Sequence, residues 1–178
     1  MQFRRLAEKL KWDLQYFCGY WNYIDGIPEP ALANTINANL KGGSILDLGC
    51  GTANTVAILA GYTSYQGVDL SNVALRKARR RYANAKNRFV AADIVEFQPR
   101  DRFDVIVLSE VVYYIALDEV CEVLRRYQAS LKEGGVFVMR IWDARLKGDF
   151  IRVISENFDI IENKPITGTE LSVIVTFA

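Results

Sequence analysis

The residues equipped for chemistry in this 178-residue chain gather at the ends of apolar runs. In SILDLGCGTANT, from Ser44 to Thr55, Asp47 sits inside an apolar run that leads into Gly49-Cys50-Gly51, and a run able to be helical begins at Thr52. This is the pattern of a buried strand, a tight turn and a helix start. Gly49 and Gly51 permit backbone dihedrals and a close ligand approach that a Cβ would block, and a helix N-terminus beyond them offers unpaired N–H groups to an anion. The next acid at a strand end is Asp69, in YQGVDLS, and an acid about 20 residues past a glycine turn is where a doubly wound fold grips a ribose diol. Ser109, Glu110, Tyr113 and Tyr114 follow the apolar run FDVIVL, while Arg140, Trp142 and Asp143 close the run VFVMRIWD. The chain has no histidine, so any proton transfer must use a carboxylate, tyrosine, cysteine, lysine or water. Ser-His-Asp triads and most zinc catalysis are excluded.

Hydrophobic periodicity supplies the elements that must position these groups. Strands are expected at 44–48, 64–69, 88–92, 103–109, 135–142, 158–164 and 171–177, and helices at 53–60, 72–83, 94–97, 117–131 and 147–157. The near-continuous runs VIVL and VFVM suit central parallel strands covered on both faces, which makes the fold α/β and doubly wound. Upstream, Phe3, Leu6, Leu10, Leu14 and Phe17 recur at spacings of three and four, the mark of an amphipathic helix over 3–19. A second short helix is expected over 31–41. The segment between them is dense in aromatics and is closed by Pro28 and Pro30, which stop regular structure. Its Tyr20, Trp21 and Tyr23, with Tyr16 just before it, suit a lid over a ligand, and equally suit packing of the first helix on the sheet. Ser71 is the better local helix cap after the second strand, which leaves Asp69 for other work. The basic cluster Arg76, Lys77, Arg79, Arg80 and Arg81 spreads around a helix and reads as an exposed face, not a nucleic-acid stripe.

Composition narrows the class. A chain of this length that is 51% hydrophobic is expected to form one domain, 1–178, with 1–41 as an N-terminal helical lid and 42–178 as the core. Twenty-two basic against twenty-one acidic residues give a net charge of +1, which recruits neither nucleic acid nor an anionic membrane. Cys18, Cys50 and Cys121 have no metal-type spacing and fit reduced thiols. No apolar run reaches the length of a membrane span, and the N-terminus carries no signal-peptide core, so a cytoplasmic protein, monomeric or homodimeric, is expected.

The sequence resembles the class I S-adenosyl-L-methionine (SAM)-dependent methyltransferases. ILDLGCGTANT is similar to that family's first motif, VDLS to its ribose-acid motif, AADI to its adenine-edge motif, FDVIVLSEVVYYI to its fourth-strand motif and LKEGGVFVMRI to its fifth. These matches run in order from about Gly43 to Ala178. The resemblance implies a Rossmann-like, mostly parallel seven-stranded sheet of order 3-2-1-4-5-7-6, its last strand antiparallel, with helices on both faces. It implies SAM as cofactor, S-adenosyl-L-homocysteine (SAH) as product, and no metal. In this reading Gly49 and Gly51 hold the methionine end with Asp47 supporting the turn. Asp69 takes the ribose hydroxyls, Leu70 packs on the adenine, and Asp93 with Ile94 N–H reads its edge. Ser109 lies at the end of the fourth strand. The acceptor is a small molecule met by Tyr20, Trp21, Tyr114, Arg140 and Trp142, with Glu110, Tyr113 and Asp143 as the catalytic candidates. Only one of the adjacent Tyr113 and Tyr114 is expected to be functional, since neighbours point apart. SEVVYYI is similar to the corresponding stretch of rhizobial Nod-factor N-methyltransferases, which implies transfer to an amine or amino-sugar nitrogen in preference to oxygen. The alternatives are O-methylation of a sugar, phenol or carboxylate, and a non-catalytic SAM-binding partner protein.

Overall fold

The computed structural model describes residues 2–23, 25, 27, 29–166 and 172–178, with side chains from residue 6 onward. Pro28, expected as a breaker, Leu171, expected in the last strand, and the Phe3 side chain lie outside the described residues. Seven strands form one sheet: β1 (Ser44–Leu48), β2 (Ser64–Asp69), β3 (Asn87–Ala91), β4 (Phe103–Ser109), β5 (Leu131–Ile141), β6 (Ile160–Pro165) and β7 (Val173–Phe177). Their order is β3-β2-β1-β4-β5-β7-β6, and β7 runs antiparallel between β5 and β6. The order reverses between β1 and β4, the crevice where an open α/β sheet binds its ligand.

Alternation along the strands divides the core in two. Leu46, Leu48, Ile106 and Leu108 face one side, where α4 (Val120–Gln128) contributes Val123, Leu124 and Tyr127, and α5 (Gly148–Asn157) contributes Ile154. Ile45, Val105, Val107, Val136 and Val138 face the other, against α2 (Pro30–Asn39) and α3 (Asn72–Tyr82) through Leu32, Ile36, Leu75 and Ala78. Each such aliphatic side chain, once fully buried, contributes about 1.5–3 kcal/mol. Within residues 1–41, α2 belongs to the packed core, while α1 (Gln2–Phe17) lies over the crevice through Glu8, Trp12 and Tyr16. The edge strand β6 carries Glu162, Lys164 and Pro165, which discourage pairing with another chain.

Other elements depart from expectation for local reasons. The helix expected at 53–60 is a five-residue 3-10 helix, Asn54–Ile58, preceded by Ala53 in the left-handed region at φ 59° and without a side-chain cap. Asn54, Thr55 and Val56 are poor helix formers, and five residues of 3-10 helix are too short to present an α-helix macrodipole. The helix expected at 94–97 is one turn in which Phe97 N–H donates to Asp93 O at 2.8 Å. A 3-10 turn, Val112–Tyr114, absorbs part of the span before α4. In the sheet, β3 lies one residue earlier than expected, and β5 begins four residues earlier, across a register shift opposite Phe103 and Val105.

Helix α1 reverses the expectation from its pattern. Leu6, Leu10, Leu14 and Phe17 are exposed by 55%, 59%, 61% and 77%, whereas Trp12, Asp13 and Tyr16 turn inward. The surface beneath is a cavity lined with carboxylates and rings, so polar and aromatic side chains, not aliphatic ones, match it.

Candidate active site

A cavity of about 1000 Å³ runs from the glycine turn, past the ends of β2, β3 and β4, to the loop after β5. Its base is the turn after β1. Gly49 and Cys50 N–H groups donate to Val68 O at 2.8 and 3.0 Å, and Gly51 N–H donates to Asp69 Oδ2 at 2.8 Å. The two glycines have different tasks. Gly49, at φ 72°, presses against the Val111 side chain, so a Cβ there would collide with the fourth-strand loop. Gly51, at φ 54°, faces the cavity beneath Tyr16, whose hydroxyl a Cβ would meet at 2.7 Å. Asp47 is buried below the turn and accepts the Tyr65 hydroxyl at 2.6 Å; burial pushes its carboxyl up to about 7.

Asp69 ends β2 with both oxygens occupied on the protein side: Oδ2 by Gly51 and Oδ1 by Ser71 N–H at 2.7 Å. Burial pushes its carboxyl up to about 6 against the pull of those N–H groups. Asp93, after β3, accepts Val95 N–H at 2.9 Å, and α4 steadies the same loop because Tyr127 Oη donates to Ile94 O at 2.7 Å. Leu70, Ile94 and Ser109 line the cavity between these acids and the far end.

The far end is aromatic and acidic. Glu110 sits in the left-handed region at φ 57°, which turns its side chain across the ends of β4 and β5. Its Oε2 accepts Tyr113 Oη–H at 2.6 Å and Trp142 N–H at 3.0 Å, and its Oε1 accepts Arg140 at 2.5 Å. Burial raises the Glu110 carboxyl, partly offset by these donors. Burial, and then the Glu110 charge, raise the Tyr113 phenol. Arg140 also pairs with Glu29 at 3.4 Å, and Glu29 caps α2 by accepting Ala31 N–H at 3.3 Å. Asp143 is buried and accepts Arg145 and Leu146 N–H, each at 3.2 Å. Tyr113 and Tyr114 pack with centroids 4.9 Å apart, and both line the cavity, Tyr114 half exposed. Lys147 Nζ lies 5.0 Å from the Tyr113 ring centroid.

The N-terminal segment supplies one wall that sequence reasoning missed, Trp12. Trp12 meets Tyr114 edge-on at 4.9 Å and stacks on Trp21 at 5.9 Å. Tyr16 and Tyr23 also line the cavity. Tyr20 does not; it lies 62% exposed, edge-on to the outer side of Trp21 at 5.1 Å, because α1 ends at Phe17 and the chain turns there. Asp25 fastens the lid: it accepts Arg81 at 2.5 Å and Thr52 Oγ1–H at 2.8 Å, with Lys77 at 3.7 Å. The basic face of α3 is thus partly a docking face, a role its spacing did not reveal. Trp142, 59% exposed, stands at the rim.

Residues 45–135 match the family described as "Methyltransferase domain". An uncharacterized methyltransferase of Mycobacterium tuberculosis is 32% identical over 97 residues, 53% of this chain and 48% of that protein. A ubiquinone biosynthesis O-methyltransferase of a Bradyrhizobium species is 28% identical over 132 residues, 71% of this chain and 50% of that protein. The chain thus spans about half the length of the curated relatives it matches. The crystal structure of the N-methyltransferase NodS from Bradyrhizobium japonicum with SAH shares the fold at a TM-score of 0.66 and 20% identity, covering 83% of this chain and 85% of that one.

Proposed function

This chain belongs to the methyltransferase-domain family, and we propose that it binds SAM in the cavity and transfers a methyl group to the nitrogen of a small-molecule amine or amino sugar. The observation that carries the acceptor class is the aromatic, acidic far end. The rings of Trp12, Trp21, Tyr113 and Tyr114 stand with Glu29 and Glu110 around one cavity continuous with the glycine turn. Ring faces attract an ammonium by about 0.5–2 kcal/mol; Arg140 already balances the two carboxylates and Lys147 lies by Tyr113, so the rings of Trp12, Trp21 and Tyr114 carry that preference.

The residues present fit the cofactor: the Gly49–Gly51 turn, Asp69 at the end of β2 and Asp93 just beyond the neighbouring β3 all line the same cavity. Asp69 would hold the ribose, Asp93 and Ile94 the adenine edge with Leu70 against the ring, and the Gly49–Gly51 turn the methionine end. When bound, SAM supplies an electrophilic methyl group. The chain's own work is to align the acceptor, exclude water and take a proton from the amine before it attacks. Glu110 is the acceptor of that proton in this reading. Because the Tyr113 hydroxyl already donates to it, the amine proton passes to the Tyr113 oxygen as the Tyr113 proton passes to Glu110, leaving the phenol neutral. Asp143, held in its turn, supports the loop that carries Trp142. We place the reaction in the cytoplasm, where Cys18, Cys50 and Cys121, all free, would stay reduced.

O-methylation is the second reading, favoured by the O-methyltransferase among the curated relatives. The test is calorimetry with SAH followed by transfer from labelled SAM to amines, amino sugars, phenols and carboxylates. Label in amines or amino sugars supports the proposal; label confined to phenols or carboxylates replaces it with the second reading. SAH binding without turnover on any class points to a non-catalytic partner protein.

A further inference from the structure

Asp69 takes a backbone hydrogen bond from Ser71, and Ser71 is itself held by a residue of α1. Ser71 caps α3: its Oγ accepts Ala74 N–H at 3.1 Å, and the residue is fully buried. The same hydroxyl donates to Asp13 Oδ1 at 2.8 Å, and that oxygen also accepts Val73 N–H at 3.0 Å. The first turn of α3 is therefore capped twice, once by its own Ser71 and once by a carboxylate 58 positions earlier in the chain. Asp13 Oδ2 is occupied by Lys9 at 2.7 Å, so its orientation is fixed from both sides. Burial works to raise its carboxyl, but the bonds from Lys9, Val73 and Ser71 outweigh that and hold it below the usual range, which keeps it an acceptor at neutral pH.

We infer that Asp13 is a positioning residue for the cofactor: from the lid helix it fixes Ser71, and through the Ser71 N–H it fixes the Asp69 carboxylate that reads the ribose. The inference rests on the reading of Asp69 given above. Its physical basis is that one residue offers two groups in two directions. The Ser71 hydroxyl serves Ala74 and Asp13 together, while its extended backbone at φ −83° and ψ 116° aims the N–H at Asp69 Oδ1. Losing Asp13 strands the Val73 N–H and frees the hydroxyl to rotate, so the cap loosens and the Asp69 carboxylate loses a fixed donor. Linkage makes the coupling reciprocal: a ligand that needs Asp69 in place favours the docked α1.

The test is SAH calorimetry on the full chain with wild type, D13A, D13N, S71A and D13A/S71A, each checked for a cooperative thermal melt. Loss of one helix cap corresponds to about a five- to tenfold weaker SAH affinity for D13A. In D13N the side-chain amide can still accept from Ser71 and Val73 through its one oxygen while its NH2 loses the Lys9 bond, so this variant should recover at least half of the D13A loss on a logarithmic scale, a rescue expected where the contacts to α3 are what matter. On the S71A background D13A should change affinity by no more than about twofold, because the route through the hydroxyl is already cut. Hydrogen exchange of α1 should slow on adding SAH in wild type but not in D13A. Unchanged SAH affinity in D13A overturns the inference, even with α1 loosened, as does D13N as weak as D13A or an undiminished D13A effect in S71A. If D13A fails to melt cooperatively, D13N and S71A decide. If wild type itself does not bind SAH, it is the reading of Asp69 that falls, a result distinct from every variant outcome.

Discussion

Lowering the pH from 7 to 5 should weaken SAH binding about tenfold, because the ribose acid titrates inside that window. Burial pushes the Asp69 carboxyl up to about 6, and ribose hydroxyls donate to its charged form. If only the ionised acid binds, the apparent dissociation constant scales as 1 + 10^(6 − pH), which is about 1.1 at pH 7, about 2 at pH 6 and about 11 at pH 5. Stability should move the opposite way. The folded state holds the Asp69 proton more tightly than the unfolded chain, so the ionised acid costs stability at neutral pH, and that cost is relieved as pH falls through about 6 towards 3.8. The window spans 2.2 pH units at 1.36 kcal/mol each, an upper limit of about 3 kcal/mol. The assay is calorimetry with SAH and with its 2′,3′-dideoxy analogue from pH 8 to pH 5 at constant ionic strength, alongside melts of the ligand-free protein. Asp47, raised to about 7, titrates nearby, and D47N separates the two because the loss below pH 6 should survive it. A flat SAH profile, or an equal loss for the analogue that lacks both hydroxyls, would refute the argument.

Three other perturbations probe different parts of the molecule. D25A removes the acceptor of Arg81, Lys77 and Thr52, so proteolysis within residues 2–23 should quicken while the melting temperature of the core shifts by less than about 3 °C; an unchanged cleavage rate would mean that the ion pairs do not hold the lid. E110Q leaves one of three converging donors without an acceptor, so turnover should fall about ten- to hundredfold with little change in SAH affinity; full activity across pH would remove Glu110 from the mechanism. Asp104 is buried, which alone would raise its carboxyl, but bonds from Ser44 and Lys132 hold it down at about 2. Its contribution, about 2 kcal/mol, is present above 3.8 and lost as pH falls through about 2, so D104N should flatten acid unfolding measured by circular dichroism; an acid limb unchanged in D104N would assign the loss elsewhere.

The sequence by itself determined the frame. Alternation along VIVL and VFVM set two-sided strands, and the glycine turn with acids at the ends of β2 and β3 marked one edge of the sheet. Those signals are legible because they are local: strand period, turn dihedrals and the reach of a capping side chain span a few residues. They also placed Glu110, Tyr113 and Trp142 at one end, since the strands that carry them run parallel. Only the tertiary structure decided which face of α1 looks inward, because an apolar stripe at helical spacing says that a helix has two faces and not what each will meet. Trp12 and Tyr16 became cavity wall, Tyr20 fell outside it, and Leu6, Leu10 and Leu14 stayed in solvent. Asp13 and Asp25 acquired partners 58 and 56 positions away, and the basic face of α3 became a place to dock. Such pairings depend on how the chain is threaded around the sheet, and no spacing within either segment encodes them.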